Sequence, residues 1–199
     1  MDNYHDLRRA AESKIVSFDT EQLILVNDAD NEIGHLSKGE CHSGDGVLHR
    51  AFSLFIFNEA GELLIQRRSK KKRLWPLYWA NSCCSHPRSG ESMEQAIHRR
   101  LEQELGLTSN LKYLYKFIYQ AHYGTVGAEH EYCWVYIGQS RGLVSANENE
   151  VEDWRFVTPE DLDFDLSTRP GQFTPWLKLE WERLRNHFSS ELRALTSSH

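Results

Sequence analysis

Between residues 92 and 106 the chain spells out both ends of a helix. Ser92-Met93-Glu94-Gln95 has the form of a capping box, with Ser92 as the N-cap and Gln95 three residues on. Met93, Ala96, Ile97, Leu101 and Leu105 recur at helical spacing, and Gly106 is placed to end the run. The flanking segments read as strands. Upstream, Leu23-Ile24-Leu25-Val26 is a short apolar run, and Asn27 to Gly34 reads as a turn into a second strand. Ala51 to Phe57 and Glu62 to Gln66 flank the hairpin signal Asn58-Glu59-Ala60-Gly61. Downstream, Leu111 to His122 and Tyr132 to Gly138 read as strands, the second rich in β-branched and aromatic residues. Thr158-Pro159-Glu160-Asp161 predicts a helix start, and Pro175 to Phe188 a longer amphipathic closing helix. Hairpins with helices between and after them give the α+β class.

With 199 residues, 40% of them hydrophobic, the chain suits one domain with a sizeable core. That domain is expected over residues 21–190. Residues 1–20 read as an N-terminal extension, with Arg8 to Glu12 its helix-compatible stretch, and 191–199 as a C-terminal tail. The net charge of −6 argues against nucleic-acid or acidic-membrane binding, both of which need a basic surface. Gln66-Arg67-Arg68-Ser69-Lys70-Lys71-Lys72-Arg73 is nonetheless a dense basic cluster, which alone reads as a solvated loop or a nuclear-localisation-like patch. No run of about 18 apolar residues exists to span a membrane, and Met1 to Lys14 lacks the apolar stretch of a secretory signal. Cys41, Cys83, Cys84 and Cys133 are too few and too scattered for a disulfide framework, so a reducing cytoplasmic setting is expected.

Chemistry enters with Glu129-His130-Glu131. In an extended chain, positions two apart share a face, so the two carboxylates project together; they either face solvent or share a cation. His42 and His49 are seven residues apart around Gly44-Asp45-Gly46. A straight strand would put them on opposite faces, whereas the turn frees the chain to fold both inward. His86 follows Cys84 by two. Three imidazoles and two carboxylates could form a five-ligand site suited to Zn, Mn or Fe, although ten histidines leave room for ordinary surface and core ones. Asn81-Ser82-Cys83-Cys84-Ser85-His86-Pro87 is either a buried turn with small apolar thiols or a thiol set beside a metal-bound imidazole. Arg100 and Glu104, at i and i+4, form either a surface ion pair or part of a diphosphate site in which arginine binds phosphate and glutamate holds Mg²⁺.

The helix and its approach resemble a degraded Nudix box, Gly-x5-Glu-x7-Arg-Glu-U-x-Glu-Glu-x-Gly-U with U aliphatic. Glu91, Arg99, Leu101, Glu104, Gly106 and Leu107 match; Ser85 replaces the first glycine, Arg100 a glutamate and Gln103 the first of the paired glutamates. The loss of two metal-binding carboxylates speaks against phosphohydrolase activity. Leu48-His49-Arg50-Ala51-Phe52-Ser53, Trp79 to Pro87, Gly127-Ala128-Glu129-His130-Glu131 and Thr174-Pro175-Trp176 then follow in the order found in type I isopentenyl-diphosphate isomerases. This resemblance covers roughly Leu23 to His187. It implies a single-domain Nudix-like fold with mixed or antiparallel sheets flanked by helices. It implies a metal site of His42, His49, His86, Glu129 and Glu131 holding Mn²⁺ or Zn²⁺, with Cys84, Glu131, Tyr119 and Trp176 as catalytic residues. Lys38, Arg68, Lys72 and Arg100 fall at diphosphate-binding positions, and Glu104 at that of the Mg²⁺ ligand. The expected partner is a small isoprenoid diphosphate, and the expected state a monomer. The rival readings are a Nudix hydrolase of nucleoside diphosphate derivatives and a non-catalytic binding or metal-storage module.

Overall fold

Ala51 to Phe57 is apolar at nearly every position, and a strand of that kind is stable only when both of its faces are covered. The computed structural model, which describes residues 15–196, puts this strand at the centre of a nine-stranded sheet. In chain order the strands are β1 (Gln22–Val26), β2 (Glu32–Ser37), β3 (His49–Phe57), β4 (Leu63–Arg68), β5 (Trp79–Ala80), β6 (Cys83–Ser85), β7 (Asn110–Tyr123), β8 (Gly127–Gln139) and β9 (Val151–Val157). The helices are α1 (Lys38–Cys41), α2 (Met93–Leu105), α3 (Pro159–Thr168), α4 (Pro175–His187) and α5 (Ser189–Thr196), with a 3₁₀ turn at Pro170–Gln172.

β3 pairs in parallel with β8 along its whole length, from His49↔Glu131 to Phe57↔Gln139. Its other edge is shared by β1, β6 and β4 in turn, at Leu25↔His49, Phe52–Leu54 and Phe57↔Leu63. The remaining strand pairs are antiparallel: β2 on β1, β7 on β8, and β5 and β9 on β4. Alternation sends Phe52, Leu54 and Ile56 into a core beneath α2, with Ala96, Ile97, Leu101 and Leu105. Phe55 and Phe57 face the opposite way, into a core closed by Leu177, Trp181 and Leu184 of α4.

The α2 helix forms where the capping box and glycine place it. Ser92 Oγ accepts from Gln95 N at 3.2 Å and Gln95 Oε1 from Ser92 N at 3.0 Å. Gly106 turns left-handed at φ 65°, where a Cβ would come within 2.9 Å of the Ser145 Cβ. The hairpin at Asn58 to Gly61 closes with Asn58 N on Glu62 O at 3.0 Å. β8 begins at Gly127, ahead of the apolar run that marks it in the sequence, so Glu129 and Glu131 are strand residues themselves. β9 and α5 carry weaker sequence signals. The middle of β9 is polar and exposed, and its register comes from pairing with β4. The α5 helix crosses the 190/191 division and buries Leu192 against the α4 core. The Arg8 to Glu12 stretch lies outside the described residues. Among those described, no helix is long and apolar enough to cross a membrane.

Candidate active site and metal centre

Strand register places the acids. Glu131 on β8 stands opposite His49 on β3 and Tyr119 on β7, so the three occupy one row across the sheet, with Glu129 two residues back on the same face. His42 arrives from the C-cap of α1. Its carbonyl is met by Ala128 N at 3.2 Å, and a Cβ on Gly127 would lie 2.1 Å from that oxygen, so a side chain at 127 would push α1 away. His86 follows β6. The three imidazole centroids are 4.8, 5.1 and 4.8 Å apart, and one ligand atom from each of His42, His49, His86, Glu129 and Glu131 lies within 4.8 Å of all the others.

These residues fit a divalent metal. His42 Nδ1 lies 2.7 Å from Lys38 O and His49 Nδ1 2.7 Å from Val47 O, contacts that orient both rings with Nε2 toward the cluster. His49 Nε2 is buried without a hydrogen-bond partner among the described residues. Burial, with His42 adding to it, lowers the His49 pKa to about 3, and burial with His49 and His42 brings His86 well below the ordinary range; both rings are neutral, as ligation requires. The carboxyls split. Burial works to raise Glu129, but His42 at 2.8 Å outweighs it and brings the pKa down to about 2. Burial followed by the Glu129 charge holds Glu131 well above the carboxylate range, so it keeps its proton.

Around this cluster lies a cavity of about 320 Å³. Every residue singled out from the sequence lines it except His49, which sits behind the cluster, and Glu104. Tyr119 Oη donates to Glu131 Oε2 at 2.6 Å, and burial followed by that acid keeps the phenol protonated. Cys84 Sγ donates to Asn81 Oδ1 at 2.8 Å and lies 3.4 Å from Ser53 Oγ. Burial, then the nearby Glu180, raises its pKa well above the thiol norm. Cys83 points the other way, into the α2 core. Trp176 is buried against Trp75 at 5.3 Å, and the Arg68 guanidinium lies 5.1 Å over its ring.

Lys38, Lys72 and Arg100 bring positive charge to the cavity. Burial, then Lys72 and Arg100, lowers the Lys38 pKa to about 8. Glu104 is buried on α2, with one oxygen on Arg100 and the other accepting from Gln66 Nε2 at 3.2 Å. The i and i+4 pair is therefore a buried one. Sequence reasoning missed Glu150, which accepts from Lys72 Nζ and from Arg100 Nη2 at 3.2 Å. Burial works to raise its carboxyl, but Lys72 and Arg100 bring it down to about 2. A basic cluster inside an acidic chain implies such a counter-charge without saying which acid supplies it. Ile15, Ser17 and Asp19 also line the cavity, and Val16 O accepts from Arg100 Nη1 at 2.9 Å, so the end of the supposed extension borders the site.

A NUDIX domain model matches residues 47–177. The chain is 42% identical over 171 residues to isopentenyl-diphosphate Delta-isomerase 1 of Photorhabdus laumondii, covering 84% of this chain and 97% of that one. It is 41% identical to the isopentenyl-diphosphate Delta-isomerase of Paenarthrobacter aurescens, over 83% and 91% of the two chains. Its fold is similar to the crystal structure of DR0079 from Deinococcus radiodurans, at a TM-score of 0.63 and 23% identity over 89% of this chain and 100% of that one. Relatives matched at this identity over nearly their whole length show that the chain belongs to the isopentenyl-diphosphate Delta-isomerase family, built on the NUDIX fold.

Proposed function

We propose that this protein interconverts isopentenyl diphosphate and dimethylallyl diphosphate by adding a proton at C4 and removing one at C2, through a tertiary cation at C3. The observation that carries this reading is the Tyr119–Glu131 pair, hydrogen-bonded at 2.6 Å in a cavity shared with Cys84 and Trp176. An isolated alkene is a poor base, and its protonation needs a well-placed acid away from water. Glu131, holding its proton through burial, donates to C4 with Tyr119 at its other oxygen. Cys84, a protonated thiol in the resting site, takes up the C2 proton once its own has left, as thiolate or through a relay, and the two roles exchange in the reverse direction. Trp176 presents its π face to the cation, an interaction worth about 2 kcal/mol when desolvated.

Manganese or zinc is proposed for the site of His42, His49, His86, Glu129 and Glu131, where it would draw electron density from Glu131 and strengthen it as an acid. Lys38, Arg68, Lys72 and Arg100 bind the diphosphate and supply binding energy away from the reacting carbons. Mg²⁺ is proposed to enter with the diphosphate, with Glu104 as its carboxylate. Glu104 meets Arg100 with one oxygen and Gln66 with the other, which leaves a lone pair on each for the ion. A cytoplasmic monomer completes the reading, and four free cysteines support a reducing compartment.

The test is incubation of purified protein with Mg²⁺ and isopentenyl diphosphate in D₂O, followed by proton NMR. Dimethylallyl diphosphate carrying deuterium is the expected product. Unchanged substrate, after Mn²⁺ or Zn²⁺ has been added back, would overturn the proposal.

A further inference from the structure

Glu180 has no part in the chemistry above, yet it is a fully buried carboxyl directly behind it. It lies one turn along α4 from Trp176, on the side facing the sheet. Its Oε1 accepts from Cys133 Sγ at 3.4 Å. Cys133 Sγ is 3.4 Å from Ser53 Oγ, and Ser53 Oγ is 3.4 Å from Cys84 Sγ. Ser53 on β3 is register partner to Cys84 on β6, and Cys133 stands on the neighbouring β8. A chain of four polar groups therefore runs from the cavity wall through the sheet to α4. Glu180 Oε2, at the far end, has no hydrogen-bond partner among the described residues.

Stability alone does not account for this acid. A buried carboxyl with one oxygen unpaired costs more than a thiol hydrogen bond returns, and leucine or methionine would fill the space without that cost. We propose that Glu180 is a positioning residue for Cys84, acting through Ser53 and Cys133 to set the direction of the Ser53 hydroxyl and so hold the Cys84 sulfur at the cavity wall. The inference rests on the isomerase reading. Burial raises the Glu180 pKa to about 8, with Ser53 and Cys133 pulling partly back, so the carboxyl is neutral at pH 7. A neutral Glu180 accepts only weakly, through Oε1 from Cys133, and leaves the Ser53 hydrogen free to turn toward Cys84 Sγ. An ionised Glu180 draws that hydrogen to itself and leaves the sulfur facing only the Asn81 carbonyl. The titratable groups facing Glu180 are Cys84, Cys133, Glu131 and Tyr115, whose hydroxyl also donates to the Glu180 main-chain oxygen at 3.4 Å; each of them keeps its own proton.

The experiment is steady-state isomerisation by wild type, E180L, E180Q, S53A and the S53A/E180L double variant, with Tm measured for each. E180L is expected to lower kcat about tenfold or more, leave KM for isopentenyl diphosphate within about twofold, and leave Tm equal or higher. E180Q, which is neutral and keeps a carbonyl oxygen for Cys133, recovers most of the lost kcat. The double variant is no slower than the slower single, because both changes interrupt one path. An E180L kcat within about twofold of wild type overturns the inference, as does a double variant slowed by the product of the singles. If E180L does not fold, E180M takes its place under the same criteria. A wild type without turnover removes the isomerase reading and this inference with it; turnover beside an unaffected E180L removes the inference alone.

Discussion

Cys83 and Cys84 are chemically alike and differ in the face of β6 they occupy, one packed under α2 and the other at the cavity. Cys84→Ala is expected to lower kcat by at least about 10³-fold with Tm unchanged, whereas Cys83→Ala should keep kcat within a few-fold and cost about 1 kcal/mol of stability. Steady-state kinetics and thermal melts on the two variants check both. Glu180 sets a pH dependence. Its folded pKa of about 8 lies above the roughly 4.3 of an unfolded glutamate, so between those values the folded state binds the extra proton. Its contribution to stability is complete below about pH 4, declines as pH rises and is lost above about pH 8, a span on the order of 5 kcal/mol at most. Melts at pH 5 and pH 9 should show a smaller alkaline loss in E180L than in wild type. Residue types were legible at this scale: the histidines, the paired acids and the adjacent cysteines all stand out in the sequence. Their tethers were not, because the carbonyls of Lys38 and Val47 that orient His42 and His49 belong to the backbone and leave no residue signature. Glu180 was hidden for a related reason, since an acid in an amphipathic helix reads as part of its solvated face.

Legibility of an element followed how local its cause is. The α2 helix is specified by its own caps and spacing, and it forms over the residues those signals mark. β9 is a strand because β4 pairs with it, and nothing within Val151–Val157 states that. β8 was found by its apolar run, yet its functional part is the less apolar start, where Gly127 lets the His42 carbonyl approach. Gly127→Ala should therefore destabilise the protein by about 2–4 kcal/mol and weaken metal binding by about tenfold, because the added Cβ collides with backbone rather than with a movable side chain. Denaturant melts and a competition titration with a metal chelator read the two effects separately.

At the scale of the molecule, the metal cluster draws on three distant stretches, 42–49, 86 and 129–131, that meet only through the parallel β3–β8 pair and its neighbours. The α+β class was legible from local hairpins, but this pairing was not, because a parallel partner lies far along the chain and leaves no turn signature. Protein stripped with a chelator should gain roughly 5–10 °C in Tm when Mn²⁺ or Zn²⁺ is restored at about a hundredfold excess over Kd, and His49→Ala should abolish the gain. The same pairing bears on how the chain reaches its native state. His49 and Glu131 become neighbours only after a loop of about eighty residues has closed, so no early folding species offers the ion a place to sit. Added metal should leave the refolding limb of a chevron unmoved and lower the unfolding limb, acting as a latch on a door already shut.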